Sequence, residues 1–434
     1  MHAWWQKSYN GEENVAWPGK MQYFALSSGT SEGSSKYIPV SKEQLKAIMR
    51  ASRRQLFAVV KTDVPKDFFT KHHLMLGGST SLNYNGTNYS GDLSGITAAN
   101  VPNWADRFAL PEEEIQKLRN WNEKIEAMVA AAPEWDVVTV AGGPAWIRIL
   151  FERIISKYHL NNIHEIWPNF SVYLWGAVPI TPYKKQLDAM MGKPVKYFES
   201  YLCSEGFIAF QTHENAEGMR LVFRNNTYFE FVPFHSKNFD SSGNILANAV
   251  AIGIEDVVEN EEYAILISTC SGAWRYLIGD TIKFTNVDAC EIKITGRTKH
   301  YLSICGEHLS VENMNNALEK TAIECNLMFP EFTVKGTHEN GTFGHHWYIA
   351  CNDKFADSEK VKSILDKNLR LLNDDYAVER DNVLTEMKVE LLPEKIFIAW
   401  LEKQGKLGGQ AKFPRVMPDT VYADWYRFLQ TINP

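Results

Sequence analysis

The chain has 434 residues, 45 Lys+Arg against 52 Asp+Glu, and a net charge of −7. With 45% hydrophobic and 22% charged residues it has the balance of a globular protein, which excludes disorder for most of it; at about 150 residues per domain it divides into two or three domains. The acidic balance argues against a nucleic-acid binder, no apolar run reaches the ~18 residues of a membrane span, and six cysteines without a Cys-x-x-Cys spacing read as reduced thiols of a cytoplasmic protein.

Residues 21–26 alternate weakly and read as a strand, a Ser/Gly segment fills 27–36, and 37–40 is a short extended piece. Ser41, with Gln44 three residues on, forms a capping-box pattern that opens a helix to about Val60. Helical stretches over 112–131 and 145–158 follow, the second placing Trp146, Ile149, Leu150, Ile154 and Ile155 near one face. Strands at 136–141 and 170–175, separated by helices, predict an α/β body. Near residue 220 the texture changes. Short alternating segments at 221–223, 228–234, 245–252, 263–269, 274–284 and 291–295 predict an antiparallel sheet or barrel. After a helix from about Val311, the tail reads as strand, turn at Asn340-Gly341, strand, helix over 358–372, two strands and a final helix: a small α+β unit. The boundary is placed at Gly296-Arg297-Thr298.

Several segments carry chemistry. Ser27-Ser28-Gly29-Thr30-Ser31-Glu32-Gly33-Ser34-Ser35-Lys36 concentrates hydroxyls, glycines and one Lys, the means of cradling an anion. It is not a Walker A motif, because the second Gly is not followed by Lys and an extended segment follows the loop. The alternative is a surface turn. Glu205, in Tyr201-Leu202-Cys203-Ser204-Glu205-Gly206, is a carboxylate between apolar segments, suited to Mg²⁺ or simply to a solvated turn. Asp280 follows Gly279 at the end of an apolar strand, placed to accept from ribose hydroxyls or to sit in a β-turn. Gly405-Lys406-Leu407-Gly408-Gly409-Gln410-Ala411-Lys412-Phe413-Pro414-Arg415 is a glycine-rich basic loop. Gly143 and Trp146 follow one predicted strand, and Trp175 and Gly176 close another; ligands of open α/β sheets bind at such ends, so these are candidates for an acid pocket, the alternative being helix packing. His345 and His346 alternate on a predicted hairpin and point to opposite faces, which argues against a metal site. Cys305 and His308 lack a group to orient the histidine, which argues against a nucleophile pair.

Taken in this order, the segments resemble the adenylate-forming superfamily of acyl-CoA synthetases and luciferases, and more closely the auxin-responsive acyl acid–amido synthetases, over 17–416. The resemblance rests on the Ser27-to-Lys36 loop, on Tyr201, Ser204 and Glu205 of a Tyr-x-x-Ser-Glu segment, on Gly279-Asp280, on Gly296-Arg297, and on Gln410, Lys412, Pro414 and Arg415 of a Gln-x-Lys-x-Pro-Arg segment. It implies a large adenylation domain over 1–296, of mixed sheets flanked by helices with a β-barrel-like part at about 220–296, and a smaller mobile α+β cap over 297–434. It also implies ATP and Mg²⁺. A carboxylic acid attacks the α-phosphate to give acyl-AMP, and an amine, an amino acid by family, then takes the acyl group. By resemblance, Ser27, Ser28, Gly29, Thr30, Ser31, Gly33 and Lys36 hold the β/γ-phosphates, Glu205 binds Mg²⁺, Tyr201 packs near the adenine beside Ser204, Asp280 holds the ribose, Arg297 lies at the nucleotide edge, and Lys412 reaches in from the cap. Catalysis is assigned to Lys412, Lys36 and Glu205. The competing expectations are a thioester-forming ligase with CoA or another thiol acceptor, and a nucleotide-binding homologue whose acid site is incomplete. The latter arises because 26 residues precede Ser27, where the family carries a longer helical arm. The identity of the acid and the oligomeric state stay open.

Overall fold

The computed structural model describes residues 1–26, 36–176, 179–240, 243–298, 302, 304, 307, 309–339, 342–382, 384–405 and 413–432. Its strands, in chain order, are β1 Tyr23–Leu26, β2 Tyr37–Val40, β3 His72–Met75, β4 Asn83–Tyr84, β5 Tyr89–Gly91, β6 Ala109–Leu110, β7 Val137–Ala141, β8 Val172–Gly176, β9 Lys196–Cys203, β10 Gly206–Phe210, β11 Met219–Leu221, β12 Thr227–Pro233, β13 Glu262–Thr269, β14 Tyr276–Asn286, β15 Glu291–Arg297, β16 Phe332–Glu339, β17 Thr342–Ala350 and β18 Glu386–Leu392.

An 11-stranded sheet dominates, in the order β12-β13-β14-β15-β11-β10-β9-β8-β7-β3-β6. Its second half is parallel: β3 pairs in parallel with β6 and β7, β7 with β8, and β8 with β9. The carboxyl ends of β3, β7, β8 and β9 therefore share one edge. Apolar faces of the helices Trp121–Ala131, Pro144–Tyr158 and Thr181–Ala189 bury Ile125, Ile147, Leu150, Ile154 and Leu187 against one face of this half. The helix Lys42–Val60 covers the other, where Val59 meets Val138, Val172 and Phe198. The remaining strands are antiparallel and turn their apolar residues (Phe231, Ile265, Ile282, Phe284) into a separate core. The β-rich part thus continues the sheet of the body, joined to it through β11. A 4-stranded sheet, β2-β1-β5-β4, packs its apolar side chains with the helix Lys42–Val60.

The C-terminal part is a 3-stranded sheet, β16-β17-β18, with helices on both faces. Trp347 and Ile349 of β17 face the helices Val311–Cys325 and Ser358–Leu372, while Tyr348 and Ala350 face the helices Glu394–Lys403 and Asp419–Ile432. This alternation sends His345 to Glu307 and His346 to Glu390, each at 2.9 Å, so the two imidazoles diverge as the pattern predicts.

Several elements differ from the sequence expectation. The helix expected over 112–131 is two helices, Glu113–Gln116 and Trp121–Ala131, because Asn120 caps the second by accepting from the Glu123 N–H. No strand forms over 245–252; Ile245 and Ile252 make single bridges to Phe239 and Phe231. In the tail one strand, β18, stands where two were expected, preceded by an extra helix, Asp374–Asn382. Among the described residues no helix is long and apolar enough to cross a membrane.

Candidate active site

The site is built where β9, β14 and β15 meet the stem of the β1–β2 hairpin. Leu26 pairs with Tyr37, so both feet of the 27–36 connection are fixed by the sheet. Ser204, in the turn between β9 and β10, donates its hydroxyl to the Leu26 carbonyl at 3.2 Å, which sets that turn against the foot of the loop. The helix Lys42–Val60 adds a second tie. Gln44 Nε2 donates to the Glu205 carbonyl at 3.1 Å, and Gln44 Oε1 accepts from Cys270. Gly206 has φ +151, and a Cβ there would lie 2.6 Å from Gln44 Nε2, so only Gly allows this approach.

Tyr201 and Asp280 come from strands far apart in sequence. Tyr201 Oη donates to Asp280 Oδ2 at 2.5 Å. Arg297, cross-strand partner of Asp280, places Nε 3.2 Å from Oδ1 and donates from Nη2 to the Ile278 carbonyl. A carboxylate has about four acceptor positions, so two on Asp280 remain for other donors. Burial holds the Tyr201 hydroxyl well above its ordinary value, aided by the charge of Asp280. Glu205 is half-buried, and its carboxyl is raised chiefly by burial and then by Asp280, with Arg297 opposing. An acidic pair sharing a partly dry site is costly, and a divalent cation offsets that cost. The hard oxygen of Glu205 is a donor Mg²⁺ accepts, and so the residue fits the metal assigned to it.

The structure thus brings Tyr201, Ser204, Glu205, Asp280 and Arg297 together, and Lys36 directly precedes β2, at the foot of the loop that Ser204 touches through Leu26. Ser27, Ser28, Gly29, Thr30, Ser31, Gly33 and Lys412 lie outside the described residues. Gly143 caps the helix Pro144–Tyr158 at the end of β7, and Trp175 and Gly176 end β8. Trp146 packs against Trp121 with ring centroids 4.9 Å apart and the planes tilted by 31°, in the same core as Trp175. All four stand on the carboxyl edge, next to the β9 end that carries Glu205. Gly296 and Arg297 belong to β15, and Thr298 donates to the Gly279 carbonyl at 2.8 Å, so the sheet pins the proposed boundary up to Thr298.

Gln44 and Glu199 escaped the sequence reading. By spacing alone Gln44 is half of a capping box. Its backbone N–H does bond Ser41 Oγ, but its side chain serves Glu205, and the Ser41 N–H goes to Ser271 instead. Glu199 shares the face of β9 with Tyr201, and burial pushes its carboxyl up to about 7. Strand alternation counted back from Tyr201 is the signal that would have found it.

A parallel α/β half with an acidic cluster at its strand ends, an antiparallel half and a small α+β unit beyond is the fold of the adenylate-forming ligases. A 2-hydroxyisobutyryl-CoA ligase in the postadenylation state, bound to 2-HIB-AMP, superposes with a TM-score of 0.58 at 15% identity, over 94% of this chain and 76% of that one. The GH3.15 acyl acid amido synthetase superposes with a TM-score of 0.78 at 15% identity, over 99% and 85%. Family models match in order: the GH3 family N-terminal domain over 1–81 and 61–196, the central domain over 220–297, and the C-terminal domain over 312–421. The chain belongs to the GH3 family. The jasmonoyl-L-amino acid synthetase JAR6 of Nicotiana attenuata is 21% identical over 94% of this chain and 82% of its own length. The indole-3-acetic acid-amido synthetase GH3.4 of Arabidopsis thaliana is 27% identical over 37% of this chain, an alignment that spans 27% of that enzyme.

Proposed function

We propose that this protein uses ATP to activate a carboxylic acid as acyl-AMP and then passes the acyl group to an amine, an amino acid by analogy with its relatives. The observation that carries the reading is the convergence of Tyr201, Glu205, Asp280 and Arg297 at the foot of the 27–36 loop. In the first half-reaction the acid's carboxylate oxygen attacks the α-phosphorus and pyrophosphate leaves. Two anions must approach, so donors and cations are needed where charge develops. The loop hydroxyls, its backbone N–H groups and Lys36 bind the β/γ-phosphates. The two open acceptor positions on Asp280 take the ribose hydroxyls, while Arg297 and Tyr201 hold that carboxylate in place. Glu205 is the residue that holds Mg²⁺, whose charge neutralises the phosphates. Lys412, from the cap, stabilises the α-phosphate. In the second half-reaction the amine nitrogen attacks the acyl carbon, the bond to the phosphate oxygen breaks, and AMP leaves.

The acid's non-reacting end extends along the carboxyl edge past Gly176 to Gly143 and Trp146. Acid-dependent exchange of labelled pyrophosphate into ATP tests the first half-reaction. Product mass after addition of an amino acid or of CoA tests the second: an amide supports this reading, and a thioester replaces it with the thiol-acceptor one.

A further inference from the structure

Across the edge from Glu205, beyond Gly143, the loop that follows β3 contains Gly77, Gly78 and Ser79. It abuts the β7 end, since Leu76 N–H donates to the Ala141 carbonyl at 2.8 Å. Lys124, on the helix Trp121–Ala131, lies beneath this loop with only 4% of its surface exposed. Its ammonium donates to the Gly77 carbonyl at 3.0 Å and the Gly78 carbonyl at 3.3 Å. The opposite side of the loop is held by the segment that opens the helix Leu93–Ala98: Gly78 N–H donates to Ser94 Oγ at 2.9 Å, and a Cβ on Gly95 would lie 2.2 Å from the Ser79 carbonyl oxygen. Lys124 also lies 5.8 Å from the Trp121 ring, which packs against Trp146.

A buried ammonium is expensive, and a packed core needs none. A loop that has to present a fixed wall to a ligand does need its carbonyls anchored. We propose that Lys124 is a positioning residue of the acid subsite: by gripping the Gly77 and Gly78 carbonyls from below, it fixes the loop after β3 as the far wall that meets the acid's non-reacting end. The inference rests on the reading of the carboxyl edge as the acid site. Lys124 acts through the loop and touches neither ATP nor the reacting carboxylate.

Among the described residues, the charged group facing Lys124 is Asp92, which favours the ammonium; the other neighbours are the two carbonyls and the Trp121 ring. Burial outweighs Asp92 and lowers the ammonium to about 8. Below that value the grip is intact, and above it the positive charge is lost.

The test is pyrophosphate exchange with benzoate, phenylacetate, indole-3-acetate and hexanoate, using the best of these to measure KM for acid and for ATP from pH 6.5 to 9. In the wild type, KM for the acid should rise as pH passes through about 8, with KM for ATP flat. Lys124→Met should raise KM for the acid about tenfold or more at pH 7 with KM for ATP unchanged, and Lys124→Arg, which does not titrate, should restore a low KM and abolish the pH dependence. An acid KM left unchanged in Lys124→Met, or acid and ATP constants that rise together in it, would overturn the inference and leave the proposed function standing. Exchange with none of the acids would overturn both. If Lys124→Met fails to fold, Lys124→Gln, which keeps a donor but not the reach to both carbonyls, is read by the same two constants with the same two outcomes.

Discussion

Asp280 is the residue on which the strands of the site converge, and its neighbours show why one carboxylate matters. Tyr201 and Arg297 each spend a donor on it. Asp280→Ala should raise KM for ATP about tenfold or more, since hydrogen bonds to a charged group are worth about 1.5–3 kcal/mol; an unchanged KM for ATP removes it from the ribose. Glu205 has a carboxyl raised by burial, and the Mg²⁺ role proposed for it needs it ionised. Exchange activity should therefore fall on acidification, with a midpoint above that of an ordinary carboxylate, and Glu205→Gln should lower exchange and raise the Mg²⁺ concentration needed for half-maximal activity. Glu199 gives a stability prediction. Its carboxyl moves from an ordinary 4.5 to about 7 in the folded state, so the fold binds the proton more tightly than the unfolded chain. Stability is then lost as pH rises from 4.5 to about 7, by at most ~3 kcal/mol. Glu199→Gln should raise Tm at pH 8 and leave it nearly unchanged at pH 4.5. Tyr201, Glu205 and Asp280 were legible as candidates because their motifs are local. Gln44, Glu199 and Lys124 were not, because each acts on a group brought near only by folding.

At the scale of elements, the helix Lys42–Val60 shows what a local signal determines. Ser41 was legible as its N-cap, and Ser41 Oγ does accept from the Gln44 N–H. The hydroxyl also donates to the Cys270 carbonyl at 2.7 Å, which seats the helix against the end of β13. Ser41→Ala should cost about 1–3 kcal/mol, read from chemical denaturation, because a buried carbonyl loses its donor as well as the helix its cap. A cost of a few tenths would mean that the tertiary bond contributes nothing. Apolar periodicity placed the helix Pro144–Tyr158 and the strands β7 and β8 to within two residues. It failed where polar residues cut an apolar stretch, as Asn120 does, and where the chain over 245–252 turns at Ala247-Asn248 and makes single bridges in place of a ladder.

For the whole molecule, polar links join the C-terminal part to the sheet before it, among them the pairs of Glu312 with Lys283 and Lys293, each at 3.8 Å. Arg148, on the helix Pro144–Tyr158, meets Glu394 at 2.7 Å, with both side chains largely buried. Tyr183 donates to the Pro330 carbonyl at 3.0 Å. Rotation of the C-terminal part between half-reactions, if it occurs as the family resemblance implies, breaks both. Glu394→Gln should therefore change the rates of pyrophosphate exchange and amide formation by different factors, since the pair favours the one cap orientation that contains it. Equal changes in the two rates would reduce the pair to a plain structural contact. The continuity of the β-rich part with the body's sheet, through the short strand β11, is also a property of this scale.

The sequence by itself determined the elements with strong periodicity, the ordered set of motifs and the family those motifs define, because each depends on residues near one another in the chain. Tertiary structure decided which strands share an edge, that Tyr201 and Asp280 touch although 79 positions separate them, and that Lys124 lies buried beneath the β3 loop. Parallel pairing brings distant strand ends together, and burial then sets their charges; neither is encoded in any one segment.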